Sequence, residues 1–178
     1  MKTEMKNIRV GDEVLAIRPD YKPTFSKFLG WIHRNDSALT FYLEIHSQGG
    51  SIKISPYHLI PVKEKRTKPH KFIFAKDVSP GHLIFQQIFD TMAFSWNEVS
   101  EVTQMLDIGL AAPLTEEGTI VVDGTLASCY AEISSHMIAH AAFFPVRLGP
   151  SLLDTEDTQH EEGIRTYAKV LILKLSKS

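Results

Sequence analysis

Apolar and polar side chains alternate regularly in residues 40–47, and the same alternation resumes in residues 50–54. A period of two places the apolar set on one face of a β-sheet. Between the two runs, residues 48–50 (Gln-Gly-Gly) accept the positive φ angles that a tight turn requires. The pattern therefore predicts a β-hairpin, whose alternating apolar residues are Phe41, Leu43, Ile45, Ile52 and Ile54.

A proline ends the second strand of this hairpin. Pro56 has no N–H to donate to a neighbouring strand, so the chain must leave the sheet there. It leaves through the sequence Ser-Pro-Tyr-His, which carries a hydroxyl at Ser55 and an imidazole at His58. Both groups are therefore predicted at a strand end, three residues apart and directed into one cleft.

Other short apolar runs predict further strands. A Gly-Asp turn at residues 11–12 precedes the apolar run 14–17. Residues 21–33 are rich in aromatic and aliphatic side chains, and turn-forming residues follow at 34–37, so a strand is predicted to end at His33. Because such strands continue to about residue 133, the sequence predicts an all-β fold.

The second half of the chain repeats the first in outline. A glycine corner followed by an apolar strand occurs at Gly11 and again 70 positions later at Gly81. The segment Gly-Thr-Ile-Val-Val at 118–122 repeats Gly-Ser-Ile-Lys-Ile at 50–54 with an offset of 68. This predicts two similar β-subdomains, about 8–69 and 70–133, related by a pseudo-two-fold axis, since two copies cannot form a solenoid. The alternative is a chance similarity between short β-patterns.

Only the end of the chain has helical spacing. Residues 135–144 follow the spacing of a short helix that ends before Pro145. Residues 149–162 form an acidic linker, and residues 163–178 form a short amphipathic tail that lies either on the domain or against a partner. Residues 1–148 are thus expected to form one β-domain with these two appendages.

Composition and charge exclude several classes of function. The 178 residues carry a net charge of −2, which argues against a nucleic-acid binder and against strong attraction to anionic lipid. The basic loop 63–69 lacks interleaved aromatic residues, so a solvated connection is favoured over phosphate contact. No apolar run reaches membrane-spanning length, and no signal core opens the sequence, so the chain itself does not indicate a compartment.

The candidate chemistry is centred on Ser55 and His58. An imidazole can transfer protons near neutral pH, and a neighbouring hydroxyl can orient a carbonyl or an amide. On spacing alone, a structural histidine in a turn is the favoured alternative. Cys129 is the only cysteine, which excludes a disulfide framework, and its apolar surroundings argue against a nucleophile. His136 and His140 lack the glutamate of a His-Glu-x-x-His motif, so no metal and no cofactor are expected.

Four segments resemble one known family. They are SPYHLIPV at 55–62, APLTEEGTIVV at 112–122, ASCYAEI at 127–133 and IAHAAFFPVRL at 138–148. Together they are similar, in the same order, to the carboxy-terminal autoprocessing region of hedgehog-related proteins. That region is a Hint domain, which shares its fold with inteins. The resemblance spans about residues 8–148 and implies a self-cleaving β-fold of two intertwined halves.

The resemblance also implies roles for individual residues. In the family, a cysteine attacks the preceding carbonyl to form a thioester, and an acceptor alcohol such as a sterol then displaces it. His58 falls on the histidine that protonates the scissile nitrogen, and Ser55 falls where the family has threonine. His33 falls on the aspartate that serves as base for the acceptor, a departure that puts a sterol acceptor in doubt. Cys129 falls on a second, non-nucleophilic cysteine near the site.

The larger departure concerns the nucleophile. The family's attacking cysteine opens a strand upstream of the Gly11–Asp12 turn, and the sequence before Gly11 is too short to include it. The chain is therefore expected to be inactive as it stands, either as a fragment of a competent protein or as a domain that has lost processing. The alternative is a non-catalytic β-domain that binds a lipid or a protein partner. The resemblance further implies an amino-terminal signalling domain in cis and the secretory pathway or extracellular space. The chain is expected to be a monomer.

Overall fold

A computed structural model describes residues 2–89 and 91–130 of the chain. The predicted helix at 135–144, the acidic linker 149–162, the tail 163–178 and the histidines at 136 and 140 lie outside the described residues. The predicted domain boundary at residue 148 lies outside them too and stays a prediction.

The described residues form nine β-strands and two single turns of 3-10 helix, Met5–Asn7 and Ala75–Asp77. All strand pairs are antiparallel, which agrees with the all-β prediction. In chain order the strands are β1 Glu13–Ile17, β2 Pro23–Ser47, β3 Gly50–Ile54, β4 Leu59–Lys63, β5 Lys71–Phe74, β6 Leu83–Gln87, β7 Phe94–Thr115, β8 Thr119–Val122 and β9 Thr125–Ser128.

Two long strands, β2 and β7, form the most extensive pairing in the sheet. β2 and β7 have 25 and 22 residues, and they pair from Phe28 opposite Thr115 to Ser47 opposite Val99. The order of strands is β1-β2-β7-β6-β4-β5, with β3 paired to β2 and β9 paired to both β6 and β8. The hairpin predicted from the alternation at 40–54 is present as β2 and β3, with Leu43 opposite Ile54.

The prediction of a strand end at His33 was wrong. β2 continues through residues 34–37, because the carbonyl oxygen of the Asn35 side chain accepts the backbone N–H groups of Ser37 and Ala38 at 3.1 and 3.0 Å. This local turn is absorbed as an irregularity in the register between Asn35 and Leu39, and pairing with β7 then resumes. Turn-forming residues therefore bend the strand without ending it.

The internal repeat is visible in the hydrogen bonds. The N–H of Gly11 donates to the carbonyl of Phe28 at 2.9 Å, and the N–H of Gly81 donates to the carbonyl of Val99 at 2.9 Å. Both glycines have positive φ, 95° and 90°, which residues with a Cβ rarely adopt. The two 3-10 turns also stand 70 positions apart, from Met5–Asn7 to Ala75–Asp77. The fold therefore consists of two similar halves, as the sequence indicated.

The main core lies where strands from both halves meet, next to the Ser55–His58 segment. It is aliphatic, and burial of such side chains is the principal stabilising contribution to a fold of this kind. Its buried members are Leu43, Ile45, Ile52, Ile54, Ile60, Val62, Ala75, Val78, Ile84, Val99 and Ala127. Within the described part of the chain, no helix has the length and apolar character needed to cross a membrane.

Candidate active site

The Ser55–His58 corner is held in place by backbone hydrogen bonds on both sides. Inside the corner, the N–H of His58 donates to the carbonyl of Ser55 at 3.1 Å. From outside, the 3-10 turn Ala75–Asp77 supports it, because the N–H groups of Ala75 and Lys76 donate to the carbonyls of His58 and Pro56 at 2.9 and 3.0 Å. The corner is therefore a fixed element whose side chains have defined directions.

The imidazole of His58 bridges the two halves of the fold. Its Nε2 lies 2.9 Å from the backbone carbonyl oxygen of Ser128, and its Nδ1 lies 3.4 Å from Oγ of Ser55. A carbonyl oxygen can only accept a hydrogen bond, so the proton of the neutral ring is on Nε2. Nδ1 therefore carries the lone pair, and the hydroxyl of Ser55 donates to it.

Burial keeps this imidazole neutral. His58 is only 9% exposed, and burial lowers its pKa from the ordinary 6.5 to about 4, although the hydrogen bond to the Ser128 carbonyl opposes the shift. At neutral pH the ring is thus a neutral base whose Nδ1 is unprotonated and accepts the hydroxyl of Ser55. Nδ1 has no proton to donate at neutral pH, so the ring must first accept one before it can play the general-acid role expected from its ordinary pKa.

Cys129 directly follows Ser128, the residue whose carbonyl lies at the His58 imidazole. It is fully buried, its N–H donates to the carbonyl of Gly118 at 2.9 Å, and its Sγ lies 3.5 Å from Oγ1 of Thr115. The hydroxyl proton of Thr115 is already donated to the carbonyl of Thr119 at 2.8 Å. Since a hydroxyl has one proton, Cys129 donates its S–H to Thr115 and remains a thiol.

Segment 128–130 fixes the thiol relative to the imidazole. The N–H of Tyr130 donates to Oγ of Ser128 at 3.0 Å, and the N–H of Leu59 donates to the carbonyl of Tyr130 at 3.2 Å. Leu59 directly follows His58, so this last bond joins the strand after the corner to the segment that contains Cys129. The structure thus brings Ser55 and His58 together, and it places Cys129 on the segment whose Ser128 carbonyl lies at the imidazole.

His33 is placed on a different element. It lies within β2, half-buried and opposite Ala112 of β7, at an irregularity in the register. Ala112 is three residues from Thr115 along β7, about 10 Å at the usual rise of a strand. The structure therefore places His33 on the paired strands β2 and β7, on a different element from the corner that carries Ser55 and His58.

Two partners in the site were missed by sequence reasoning. The carbonyl of Ser128 has no sequence signature, because every residue has a carbonyl group. Thr115 had a weak signal in the polar turn Thr-Glu-Glu-Gly-Thr, whose two threonines flank a glycine. In residues 2–89 and 91–130, no group of three or more histidine, cysteine, aspartate or glutamate side chains is arranged to hold a metal ion.

Comparison with known proteins identifies similar sequences. The model of the Hint module matches residues 1–176. The chain is 34% identical over 172 residues to the sonic hedgehog protein of Xenopus laevis, a match that covers 93% of this chain and 39% of that protein. It is 33% identical over 175 residues to the Indian hedgehog protein of Gallus gallus, covering 96% and 42%. The chain spans about two fifths of the length of these curated relatives.

Solved structures match at the level of the fold. The bacterial intein-like domain from Clostridium thermocellum gives a TM-score of 0.55 at 18% identity, and the match covers 69% of this chain and 85% of that one. The PabCDC21-1 intein gives a TM-score of 0.54 at 17% identity, covering 65% and 68%.

Proposed function

The chain belongs to the Hint family, and on that premise we propose that it is the self-processing domain of a hedgehog-type protein. In the proposed reaction, a thiol attacks the carbonyl of the preceding peptide bond, so that a C–S bond forms and the C–N bond breaks. An alcohol or water then attacks the thioester, a C–O bond forms, and the thiol is released. The observation that carries the proposal is the buried His58, held between Ser55 and the backbone next to Cys129.

His58 acts first as a base and then as an acid in this scheme. Its unprotonated Nδ1 accepts the proton that the attacking thiol loses, and the negative charge of the developing thiolate raises the affinity of the ring for that proton. The imidazolium then donates the same proton to the departing amine nitrogen. The carbonyl of Ser128 stabilises the imidazolium through the Nε2–H bond, which is present throughout.

Ser55 orients the reacting groups. Its hydroxyl donates to Nδ1 in the resting site and must turn away when that nitrogen takes a proton, which leaves it free to donate to the oxygen of the scissile carbonyl. Loss of this hydroxyl is expected to slow the reaction less than loss of the imidazole, because the hydroxyl transfers no proton between reacting atoms.

Cys129 is assigned as a thiol beside the site and not as the attacking group. Its sulfur is buried and its proton is donated to Thr115, so forming a thiolate would cost both a hydrogen bond and the burial of a charge. The attacking thiol is proposed to come from a cysteine that precedes the Gly11–Asp12 turn in the chain order of the family.

His33 is proposed as the base for the acceptor. A half-buried imidazole on β2 can accept the proton of an alcohol or a water that attacks the thioester. A sterol is one acceptor of this kind, and water gives a free acid in place of an ester. The identity of the product therefore reports on the acceptor directly.

The remaining assignments extend the proposal to the whole protein. We propose that residues 1–148 form the processing domain, with halves at about 8–69 and 70–133, followed by the linker 149–162 and the tail 163–178. A signalling domain in cis would be the group released, in the secretory pathway or outside the cell. The processing domain would act as a monomer, since its substrate is its own chain.

A fusion protein tests the function. A passenger domain and a strand that opens with Cys-Phe are joined upstream of the chain, and release of the passenger is followed by mass spectrometry with and without an added thiol. The proposal predicts thiol-dependent release at the engineered cysteine. A second fusion with serine in place of that cysteine is the matched control and should release no thioester product.

A second candidate function has a specific observation in its favour. Four large apolar side chains on one face of the β2 and β7 ribbon are exposed, namely Leu39, Phe41, Leu106 and Ile108. A non-catalytic domain could use this face to bind a lipid or a protein partner. If the cysteine fusion folds but releases nothing while His58 titrates as described, binding becomes the better account.

A further inference from the structure

The side chain of Thr119 joins the two halves of the fold at a point outside the Ser55–His58 corner. Thr119 is the first residue of β8, and Ile17 is the last residue of β1. The hydroxyl of Thr119 donates to the carbonyl of Ile17 at 2.8 Å and accepts the N–H of Ile17 at 3.2 Å. Both residues are buried. One side chain in the second half thus binds both backbone groups of one residue in the first half.

These two bonds take the place of strand pairing between β1 and β8. The two strands are neighbours, but they form no backbone ladder in the described part of the chain. Pro23, which lies opposite Ile17 in β2, has no N–H and cannot serve the carbonyl of Ile17. Removal of the Thr119 hydroxyl would therefore leave two backbone groups of Ile17 without these partners in the interior, which is costly.

Thr119 is also connected with the candidate site through the β8–β9 hairpin. It lies opposite Ser128, whose carbonyl oxygen is 2.9 Å from Nε2 of His58. The carbonyl of Thr119 accepts the hydroxyl of Thr115, and that hydroxyl contacts the thiol of Cys129. A displacement of Thr119 would therefore move both the acceptor of the imidazole proton and the partner of the thiol.

Among the described residues, pairing with β6 does not reach the end of β9 that carries Ser128. The ladder between β6 and β9 is one pair, Gln86 opposite Thr125, at the start of β9. β8 and β9 have four residues each, and a short hairpin is only marginally stable by itself. The backbone bond that Tyr130 accepts and the two bonds of Thr119 join the Ser128 end to the first half.

We propose that Thr119 is a positioning residue for the proton transfer by His58, an assignment that rests on the proposed function. Its hydroxyl fixes the Ser128 end of the hairpin against β1, so that the Ser128 carbonyl stays at Nε2 and keeps the ring proton on that nitrogen. Thr119 transfers no proton itself. Without the hydroxyl, this end of the hairpin opens more often, and the imidazole then loses its acceptor.

Variants at this position separate the hydroxyl from the shape of the side chain. Thr119→Val keeps the shape and removes the hydroxyl, whereas Thr119→Ser keeps the hydroxyl. In the full ¹⁵N-labelled chain, NMR measures how fast the Nε2 proton of His58 exchanges with water. Thr119→Val is expected to speed this exchange by about tenfold, because loss of the hydrogen bonds favours local opening. Thr119→Ser should restore the slow rate, and an unchanged rate in Thr119→Val would overturn the proposal.

Thr125→Val is the matched control. Thr125 is also a buried threonine of this hairpin, but its hydroxyl accepts a hydrogen bond from Gln86 within the second half. The control should lower the overall stability and leave the exchange of the His58 proton unchanged. Equal acceleration in Thr119→Val and Thr125→Val would overturn the proposal, because it would reflect overall stability alone.

The cysteine fusion tests whether this positioning affects the reaction. Thr119→Val should slow release of the passenger by about tenfold, a part of the total that positioned proton transfer contributes. Thr119→Ser and Thr125→Val should release it at nearly the unchanged rate. If Thr119→Val speeds proton exchange without slowing release, the positioning role is contradicted. If the fusion with Thr119 unchanged releases nothing, the proposed function fails, and the exchange rates still decide whether Thr119 holds the imidazole in place.

If Thr119→Val does not fold, the unchanged chain supplies the test. The N–H of Ile17 and the Nε2 proton of His58 would be exposed by one local opening. Both protons should therefore show the same free energy of opening and the same dependence of that free energy on low concentrations of urea. Different values for the two protons would contradict the proposal.

Discussion

The two halves of the fold differ in the turn that follows one short strand, which is β8 in the second half and β3 in the first half. In the second half, β8 and β9 are joined by Asp123 and Gly124, with φ of 49° and 76°, and the strands pair as a hairpin. In the first half, the longer corner Ser55–His58 joins β3 to β4, and these strands pair with other neighbours, β3 with β2 and β4 with β5 and β6. The equivalent turns therefore have different lengths and different partners.

The difference separates a turn that is completed within one half from a corner that reaches the other half. Two residues with positive φ match the twist of a hairpin, so the turn after β8 is complete within its own half. The proline corner cannot close in that way, and its imidazole instead reaches the carbonyl of Ser128 in the other half. The first half thus supplies the imidazole proposed as the base, and the second half supplies the carbonyl at that imidazole and the thiol that follows it along the chain.

The largest expected effect comes from removing the imidazole at the corner. In the cysteine fusion, His58→Gln is expected to slow release of the passenger by about 10²–10⁴-fold, because positioned proton transfer contributes that much. His46→Gln is the matched control, since His46 is a solvent-accessible histidine of β2 that pairs with Glu44. Release that proceeds at the same rate in both variants would eliminate the proton-transfer role.

The second effect is a pH dependence of stability. The folded-state pKa of His58, about 4, lies below the ordinary 6.5. The contribution of the neutral ring to the free energy of unfolding is therefore complete above pH 6.5 and is lost as pH falls toward 4. A shift of that size corresponds to about 3 kcal/mol. Urea unfolding at pH 7 and pH 4 should show that loss in the chain and a correspondingly smaller one in His58→Gln. Equal losses in both proteins would mean that the imidazole is not buried neutral.

A third change affects the second half of the site. Thr115→Val removes the hydroxyl that bonds the carbonyl of Thr119 and accepts the N–H of Gly118 and the thiol of Cys129. The expected cost in the free energy of unfolding is about 1–3 kcal/mol, and Thr115→Ser should recover most of it. The two unfolding curves, together with the reaction rate of Cys129 with a thiol reagent, check this. If the serine variant were as unstable as the valine variant, the methyl group of Thr115 and not its hydroxyl would account for the stability.

The smallest effect is expected at the tight turn. Gly124→Ala places a Cβ on a residue with φ of 76°, while the nearest atom, Cβ of Gln87, remains at an ordinary 3.7 Å, so only backbone strain is added. The cost should be about 1–2 kcal/mol, and Gly124→Asn should cost less because asparagine tolerates this conformation. Thermal unfolding compares the two. An alanine variant as stable as the unchanged chain would indicate that the turn can change its shape.

The sequence predicted the elements whose causes are local. Alternation at 40–54 gave the hairpin, Pro56 gave the corner, and the offset of 70 gave the two halves. The strand end at His33 was wrong because Asn35 satisfies nearby N–H groups and lets β2 continue, an outcome that depends on β7 as a pairing partner. Local turn residues cannot reveal that partner.

The contacts that complete the site are not local. The carbonyl of Ser128 reaches His58 across 70 positions, and the Tyr21 ring packs on Phe85 from a different half. Neither contact follows from residue type. A backbone carbonyl has no sequence signature, and the sequence does not show whether Tyr21 packs on the fold or faces solvent. The low pKa of His58 depends on the same long-range burial and was likewise not predictable from its position in the turn.

The protonation of the His58 ring tests the central claim most directly. Two-bond nitrogen–proton NMR spectra of the ¹⁵N-labelled chain distinguish a proton on Nε2 from one on Nδ1 and follow the ring as pH falls. The structure predicts a neutral ring with its proton on Nε2 at pH 7 and a titration midpoint near 4. A proton on Nδ1, or a midpoint near the ordinary 6.5, would contradict the account.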